Sequence, residues 1–289
     1  MFMREQTRVD VREIKEESVP EGPEIHRIAD WVREKVAGEV AEDVRFGREE
    51  LGEHAETLTG RRVESVEPRG KSITFHLEGG WAVFTHTMLY GRWYVLGRGE
   101  KPKGKKKVAF AFDTPEHTVM LTSTNRVGVH RAHELETHNF LSKLGPDVLH
   151  DATTQATARR ALEKHANVPL GESLLKQSVL SGIGNYLRAE ILYMARLHPG
   201  TTPAQLSPGA LDELSELVLS VPRRAYEAKG FTTSDEYIAS GEASGVERRE
   251  LKRWIYKRDG APCPECATTI VREDHAKRAF YRCPSCQPA

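Results

Sequence analysis

Apolar positions change their period twice along the chain. Between residues 23 and 37, Ile25, Ile28, Val32 and Val36 recur at helical spacing and form one apolar stripe, with Gly38 as a stop. From residue 72 the period shortens to two. Ile73, Phe75 and Leu77 alternate with polar neighbours, and runs at 81–85, 93–96, 108–112 and 119–122 extend a strand-rich region in which Gly79-Gly80 marks a hairpin turn. After Gly145-Pro146 the helical period returns and predicts helices over 152–164, 171–180, 186–197 and 208–226. The run Ser181-Gly182-Ile183-Gly184-Asn185 separates the second of these from the third. Its two glycines predict a tight corner whose free N–H groups can hold a phosphate or simply join two helices. The polar, Gly- and Ser-containing stretch 232–245 reads as a loop.

Two changes of period within 289 residues predict two or three domains. No run of about 18 apolar residues exists to span a bilayer, so a membrane partner is excluded. The 42 basic and 42 acidic residues sum to zero, which by itself gives no pull toward nucleic acid. The sum hides a segregation. Residues 98–107 hold six basic side chains and one acid, and the segment from Val246 to the end holds ten basic and six acidic. Localised positive charge of this kind fits phosphate contact at chosen points.

All four cysteines fall in the last 27 residues, as C-x2-C-x16-C-x2-C: Cys263, Cys266, Cys283 and Cys286. The spacing is that of a four-thiolate zinc site, in which two knuckles aim their sulfurs at one tetrahedral ion. Val271, Phe280 and Tyr281 offer strand positions around a polar tip at 274–278, so the prediction is a zinc-bound hairpin. Four thiolates leave no open position for water, which makes the metal structural rather than catalytic. The charged N-terminus is no secretory signal, and reduced thiols in the cytoplasm, at the nucleoid, are expected.

Four features stand in order: Pro-Glu-Gly-Pro-Glu at 20–24, Arg69-Gly70-Lys71 before a strand, Gly-Ile-Gly-Asn-Tyr at 182–186, and Arg278-Ala-Phe-Tyr inside the cysteine hairpin. The ordered set resembles the formamidopyrimidine-DNA glycosylase / endonuclease VIII family. The opening motif and His86-Thr-Met-Leu-Tyr-Gly91 are most similar to the endonuclease VIII branch. The resemblance implies an α+β multidomain fold: an N-terminal helix with a β-sandwich (20–141), a helix–two-turn–helix module (142–252) and a zinc-finger hairpin (253–289). It implies a monomer that grips damaged double-stranded DNA without a small-molecule cofactor. The implied activity is base-excision repair, with removal of oxidised bases, pyrimidines favoured, followed by strand cleavage.

By the same resemblance Pro20 is the nucleophile, its amine forming a Schiff base at deoxyribose C1′. Glu21 is the general acid/base and Glu24 its support. Lys71 serves β-elimination and touches a phosphate. Asn185 and Arg278 clamp phosphates, and Arg278 assists δ-elimination. Lys143 is another DNA contact, and Met88, Leu89 and Tyr90 fill the space left by the extruded nucleotide. A terminal amine suits this work because far more of it is unprotonated at neutral pH than of a lysine.

One feature departs from the family pattern. Nineteen residues precede Pro20, and an internal proline nitrogen is a tertiary amide with no nucleophilic lone pair. The expectation is that residues 1–19 are a leader from a misassigned start. If codon 19 is GTG, initiation there reads Met-Pro-Glu-Gly-Pro-Glu, and a purine-rich coding of Lys15-Glu16-Glu17 would bind the ribosome. Proteolytic removal of a genuine leader is the second route to a free Pro20. The alternative function is a catalytically inactive or non-enzymatic zinc-finger DNA-binding protein.

Overall fold

The computed structural model describes residues 19–289, and the first eighteen residues of the predicted leader lie outside the described residues. The chain divides into two compact units. Among the described residues, one holds Val19 and Pro20, Ile28–Glu67 and Ser72–Glu134; the other holds Glu21–Arg27, Pro68–Lys71 and Leu135–Ala289. Helix α1 (Gly22–Val36) contributes its first residues to the second unit and the remainder to the first.

The first unit is built on eight antiparallel strands: β1 (Val40–Phe46), β2 (Arg61–Arg69), β3 (Ser72–Leu77), β4 (Trp81–His86), β5 (Arg92–Gly97), β6 (Val108–Asp113), β7 (His117–Thr122) and β8 (Arg126–Arg131). A short helix α2 (Gly52–Leu58) lies between β1 and β2. The strand order is β5-β7-β6-β1-β2-β3-β4-β8. Neighbouring strands stand about 4.8 Å apart, so β3 and β6, three places apart, would be separated by roughly 14 Å in a flat sheet. Yet the ring of Phe75 on β3 lies 5.5 Å from Phe110 and 5.8 Å from Phe112 on β6. The sheet therefore folds over on itself, and this is the expected sandwich. The apolar stripe of α1, with Ile28, Ala29, Val32 and Val36 at most 4% exposed, belongs to this core.

Gly79 and Gly80 both take positive φ, as the turn between β3 and β4 requires. Strands β1, β2 and β8 were not anticipated. Val63 and Val66 are the only buried residues of β2, and Val127 the only one of β8, so neither shows an alternating signal.

The second unit is mostly helical: α3 (Gln155–Glu163), α4 (Leu170–Ser173), α5 (Asn185–Met194), α6 (Pro208–Glu227) and α7 (Asp235–Ala243), followed by the hairpin β9 (Val271–His275) and β10 (Arg278–Arg282). Helix α5 is its centre, buried without a break from Tyr186 to Tyr193. The hairpin shares this core through Ile270, Phe280 and Tyr281.

Two sequence expectations are corrected here. The helix over 171–180 stops at Ser173, because the hydrogen bonds switch from i−4 to i−3 after Leu174 and the Gln177 carbonyl turns outward to Gly145 N–H. The loop over 232–245 contains α7. Ser234 caps it by accepting the Tyr237 N–H, Asp235 and Glu236 favour its first turn, and Ile238 anchors it. No helix among the described residues is long and apolar enough to cross a membrane.

Candidate active site and cysteine cluster

Glycine content explains how the corner at 182–186 is used. Gly182 takes φ +101, a conformation L side chains avoid, and its carbonyl accepts the Gly22 N–H at 2.8 Å. The backbones of Gly22 and Gly182 touch, and a Cβ on Gly22 would lie 3.0 Å from the Gly182 Cα. This contact delivers Glu21 to the N-terminus of α5. Its carboxylate accepts the N–H groups of Gly184 (2.8 Å), Tyr186 (2.8 Å) and Leu187 (3.2 Å). The free N–H groups expected to hold a phosphate are thus filled by Glu21. A negative charge gains there from both the unpaired donors and the helix dipole.

The site is dry. Glu21 is 5% exposed and Glu24 2%. Burial pushes the Glu21 carboxyl above its ordinary value, against the pull of Lys71 and the N–H groups of α5. Glu24 accepts the Glu21 N–H at 3.0 Å, closing the N-terminus of α1, and takes the Tyr186 hydroxyl at 3.0 Å.

Gly184 has no room for a side chain, since its Cβ would lie 2.3 Å from the Glu21 carboxyl carbon. Gly184→Ala should expel the carboxylate and strand buried N–H groups, at a cost of about 1–3 kcal/mol for each group left unpaired. Urea unfolding measures this, and an unchanged midpoint would show that Glu21 has no such seat.

Lys71 follows the tight turn at Gly70 (φ +59), and its ammonium donates to the Ile183 carbonyl at 2.7 Å. Burial lowers its pKa, while Glu21 opposes the shift and Arg278 adds to it. The turn is held by Asp147, which accepts the Gly70 N–H at 2.6 Å and also meets His26 Nε2 at 3.2 Å. Burial alone would raise the Asp147 carboxyl. The His26 hydrogen bond and charge, with the Leu149 and Gly70 N–H groups, hold it below its usual value.

Asn185 opens α5, and its amide donates to the Ala279 carbonyl at 2.9 Å, beside Arg278 on the hairpin. Arg188, one turn further on, is fully buried and organises this corner. It donates to Gly171 O (2.7 Å), Asn185 Oδ1 (2.7 Å), His275 O (3.3 Å) and Ala279 O (3.4 Å), and its guanidinium lies over the Phe280 ring. Burial and the neighbouring charge of Arg278 push its pKa down to about 10, so it stays charged at neutral pH.

The four cysteine sulfurs come together. Cys263 and Cys286 are 3.9 Å apart, Cys266 and Cys283 3.4 Å, and Cys266 and Cys286 3.5 Å. Sulfurs at about 2.3 Å from one tetrahedral zinc stand about 3.8 Å from each other, so the cluster fits such an ion. Tyr193 on α5 adds its hydroxyl at 3.3 Å from Cys263 Sγ. His198, Glu273 and His275 also bring ligand-type atoms within 4.8 Å. There Arg282 already binds both Glu273 oxygens, and His198 Nδ1 accepts the Gly200 N–H, so that group pins β9 to β10.

The second unit thus brings together Glu21, Glu24, Lys71 and Asn185, with the charge of Arg278 acting on Lys71. Pro20 is buried and immediately precedes Glu21. Lys143 is exposed at the end of a short 3-10 helix, its ammonium donating to Asn139 Oδ1. In the first unit, Met88, Leu89 and Tyr90 form a turn between β4 and β5 and are 40%, 52% and 75% exposed. Gly91 N–H closes the turn on the Thr87 carbonyl at 2.8 Å. Their exposure places these three apolar side chains outside the core.

Sequence reasoning missed Asp147, Arg188 and Glu190. Glu190 is fully buried and accepts the N–H groups of Trp254 (2.8 Å), Ile255 (3.0 Å) and Tyr256 (2.9 Å). The one signal for Arg188 and Glu190 was two opposite charges inside the apolar run Leu187–Leu192, which needs buried partners, and Asp147 had none.

Residues 19–130 match the family model of the formamidopyrimidine-DNA glycosylase N-terminal domain, and residues 144–236 that of the formamidopyrimidine-DNA glycosylase H2TH domain. Endonuclease 8 of Pectobacterium carotovorum is 35% identical over 271 residues, covering 93% of this chain and 100% of the relative. Endonuclease 8 of Klebsiella pneumoniae is 34% identical over 272 residues with the same coverage. Among solved structures, the Lactococcus lactis formamidopyrimidine-DNA glycosylase bound to DNA containing an abasic site superposes with a TM-score of 0.76. It is 19% identical and covers 93% of this chain and 100% of its own, a likeness of fold.

Proposed function

The chain belongs to the formamidopyrimidine-DNA glycosylase / endonuclease VIII family, and on that premise we propose that it is a DNA glycosylase and abasic-site lyase of base-excision repair. Its substrate is damaged double-stranded DNA, with oxidised pyrimidines favoured, and it works as a monomer with one structural zinc on Cys263, Cys266, Cys283 and Cys286. The observation that carries the proposal is the buried Glu21 carboxyl on the N-terminus of α5, with Lys71 beside it and Pro20 next in the chain. The N-terminal family match begins at residue 19, one position before Pro20, which supports Pro20 as the working N-terminus.

In this reading the free Pro20 nitrogen bonds to C1′ of the extruded nucleotide as the C1′–base bond breaks. Glu21, its pKa raised by burial, gives its proton to the sugar ring oxygen or the leaving base. The ring opens to an iminium, whose positive nitrogen draws the electron pair left when a C2′ proton departs, and the 3′ phosphate leaves. Lys71 serves this elimination, and Arg278 assists the loss of the 5′ phosphate that follows. Asn185 and Arg278 hold the flanking phosphates, Lys143 adds a DNA contact, and Met88, Leu89 and Tyr90 occupy the vacated stack. Arg188 positions Asn185 and the hairpin strand that carries Arg278.

Borohydride reduction tests the covalent step. Protein beginning at Pro20 should be trapped on abasic DNA, and the full chain, in which the Pro20 nitrogen is a tertiary amide, should not. Equal trapping by the full chain with Pro20 internal would remove Pro20 from the mechanism, and binding without trapping by protein beginning at Pro20 would favour a non-catalytic DNA binder.

A further inference from the structure

The basic loop between β5 and β6 takes no part in that site, and topology gives it a specific path. Strand β7 lies between β5 and β6 and is antiparallel to both, so β5 and β6 run parallel to each other. The connection must therefore return along the whole length of β7. Its two feet show that it does. At one end the Arg98 N–H donates to the Glu116 carbonyl and the Gly99 N–H to Thr118 Oγ1 at 2.9 Å. At the other end the Lys107 carbonyl accepts the Ser123 N–H at 2.9 Å. The distance from Thr118 to Ser123 along a strand is about 17 Å.

Between those feet Lys101, Lys103, Lys105, Lys106 and Lys107 are all exposed. Among the described residues none of the five has an ion-pair partner. The nearby charges are spent elsewhere: Arg98 pairs with Glu42, and the Glu100 carboxylate accepts the Gly97 N–H at 3.3 Å. Five like charges on one loop repel each other and give the fold nothing. Exposed large apolar side chains are absent from the loop, so it offers no core for a protein interface. What it offers is a line of positive charge.

We propose that this crossover loop is an auxiliary binding strip for the phosphodiester backbone of duplex DNA. One strand of a duplex presents a phosphate about every 3.4 Å along the axis, so about 17 Å of loop faces roughly five phosphates, matching five lysines. The contact reads no sequence and adds affinity for DNA around the lesion. It rests on the DNA-repair reading above and extends it to a surface outside the catalytic cluster.

The test is the salt dependence of binding to undamaged duplex. Each lost phosphate contact lowers the slope of log K against log salt by about 0.9, so replacing all five lysines by Gln should lower it by about 4 to 5. Replacing all five by Arg should preserve the wild-type slope. A slope within about 0.5 of wild type in the Gln variant would overturn the proposal, as would an unchanged slope in Lys103→Glu combined with Lys105→Glu. Borohydride trapping by protein beginning at Pro20 reports the catalytic reading separately. Trapping with no change of slope overturns the strip alone. A changed slope without trapping leaves the strip standing and overturns the catalytic reading.

Discussion

Replacing Glu21 by Gln lowers the rate of base release by about 10²–10⁴-fold, the usual contribution of a positioned general acid. The substitution removes the proton donor and also disturbs its seat. Both Glu21 oxygens accept backbone N–H groups at the start of α5, and the Gln amide would point a donor at donors. Cleavage of a preformed abasic site should fall much less, because the base is already gone. The pH dependence carries the same signature. Burial raises the Glu21 pKa above its ordinary 4.5, so the protonated acid persists at higher pH than for an exposed glutamate. Base release should therefore fall as pH rises through that raised value, and this limb should vanish in Glu21→Gln. Single-turnover excision followed across pH measures both effects. Wild-type excision by Glu21→Gln would remove Glu21 from the chemistry.

Removing the proposed zinc, by chelation or by Cys283→Ser, should have the largest effect on stability. Structural zinc contributes about 10–16 kcal/mol to the folding of isolated zinc-finger peptides. Here the hairpin also shares its core with α5 through Phe280 and Tyr281. Its loss would uncover that flank and take away the His275 and Ala279 carbonyls that Arg188 and Asn185 hold. A fall in Tm of about 10 °C or more is expected, since each kcal/mol moves Tm by about 2–4 °C in a unit of this size. DNA binding should be lost with it. Metal analysis should find one tightly bound zinc per chain in the wild type and none in Cys283→Ser. A melting curve indifferent to chelation would sink this account.

Much of the fold was legible because its signals are local. The stripe Ile25-Ile28-Val32-Val36 predicts a helix over 23–37, and α1 runs from Gly22 to Val36. Alternation at 72–77 predicts a strand, and β3 covers Ser72 to Leu77. The cysteine spacing predicts one cluster, and the four sulfurs meet. Where signals were weak or read too broadly, local chemistry decided. Ser234 capped a helix in a stretch whose Gly and Ser content reads as loop, and Gln177 bent its backbone toward Gly145 in a stretch whose apolar period reads as helix.

The sequence by itself determined the strongly periodic elements such as α1 and β3, the cysteine spacing, and the ordered motifs that single out Pro20, Glu21, Lys71, Asn185 and Arg278. Each of these depends on residue type and on spacing along one short segment. Only the tertiary structure decided what those residues face. That Glu21 fills the N-terminus of α5 depends on Gly184, 163 residues away, having no side chain. That Asp147 holds the Lys71 turn depends on a contact 77 residues apart in sequence. Burial, which raises the Glu21 pKa and lowers that of Lys71, exists only once those distant segments have closed over each other. The lysines of 101–107 show the same division: their charge is written in the sequence, and their line along β7 is set by the strand order.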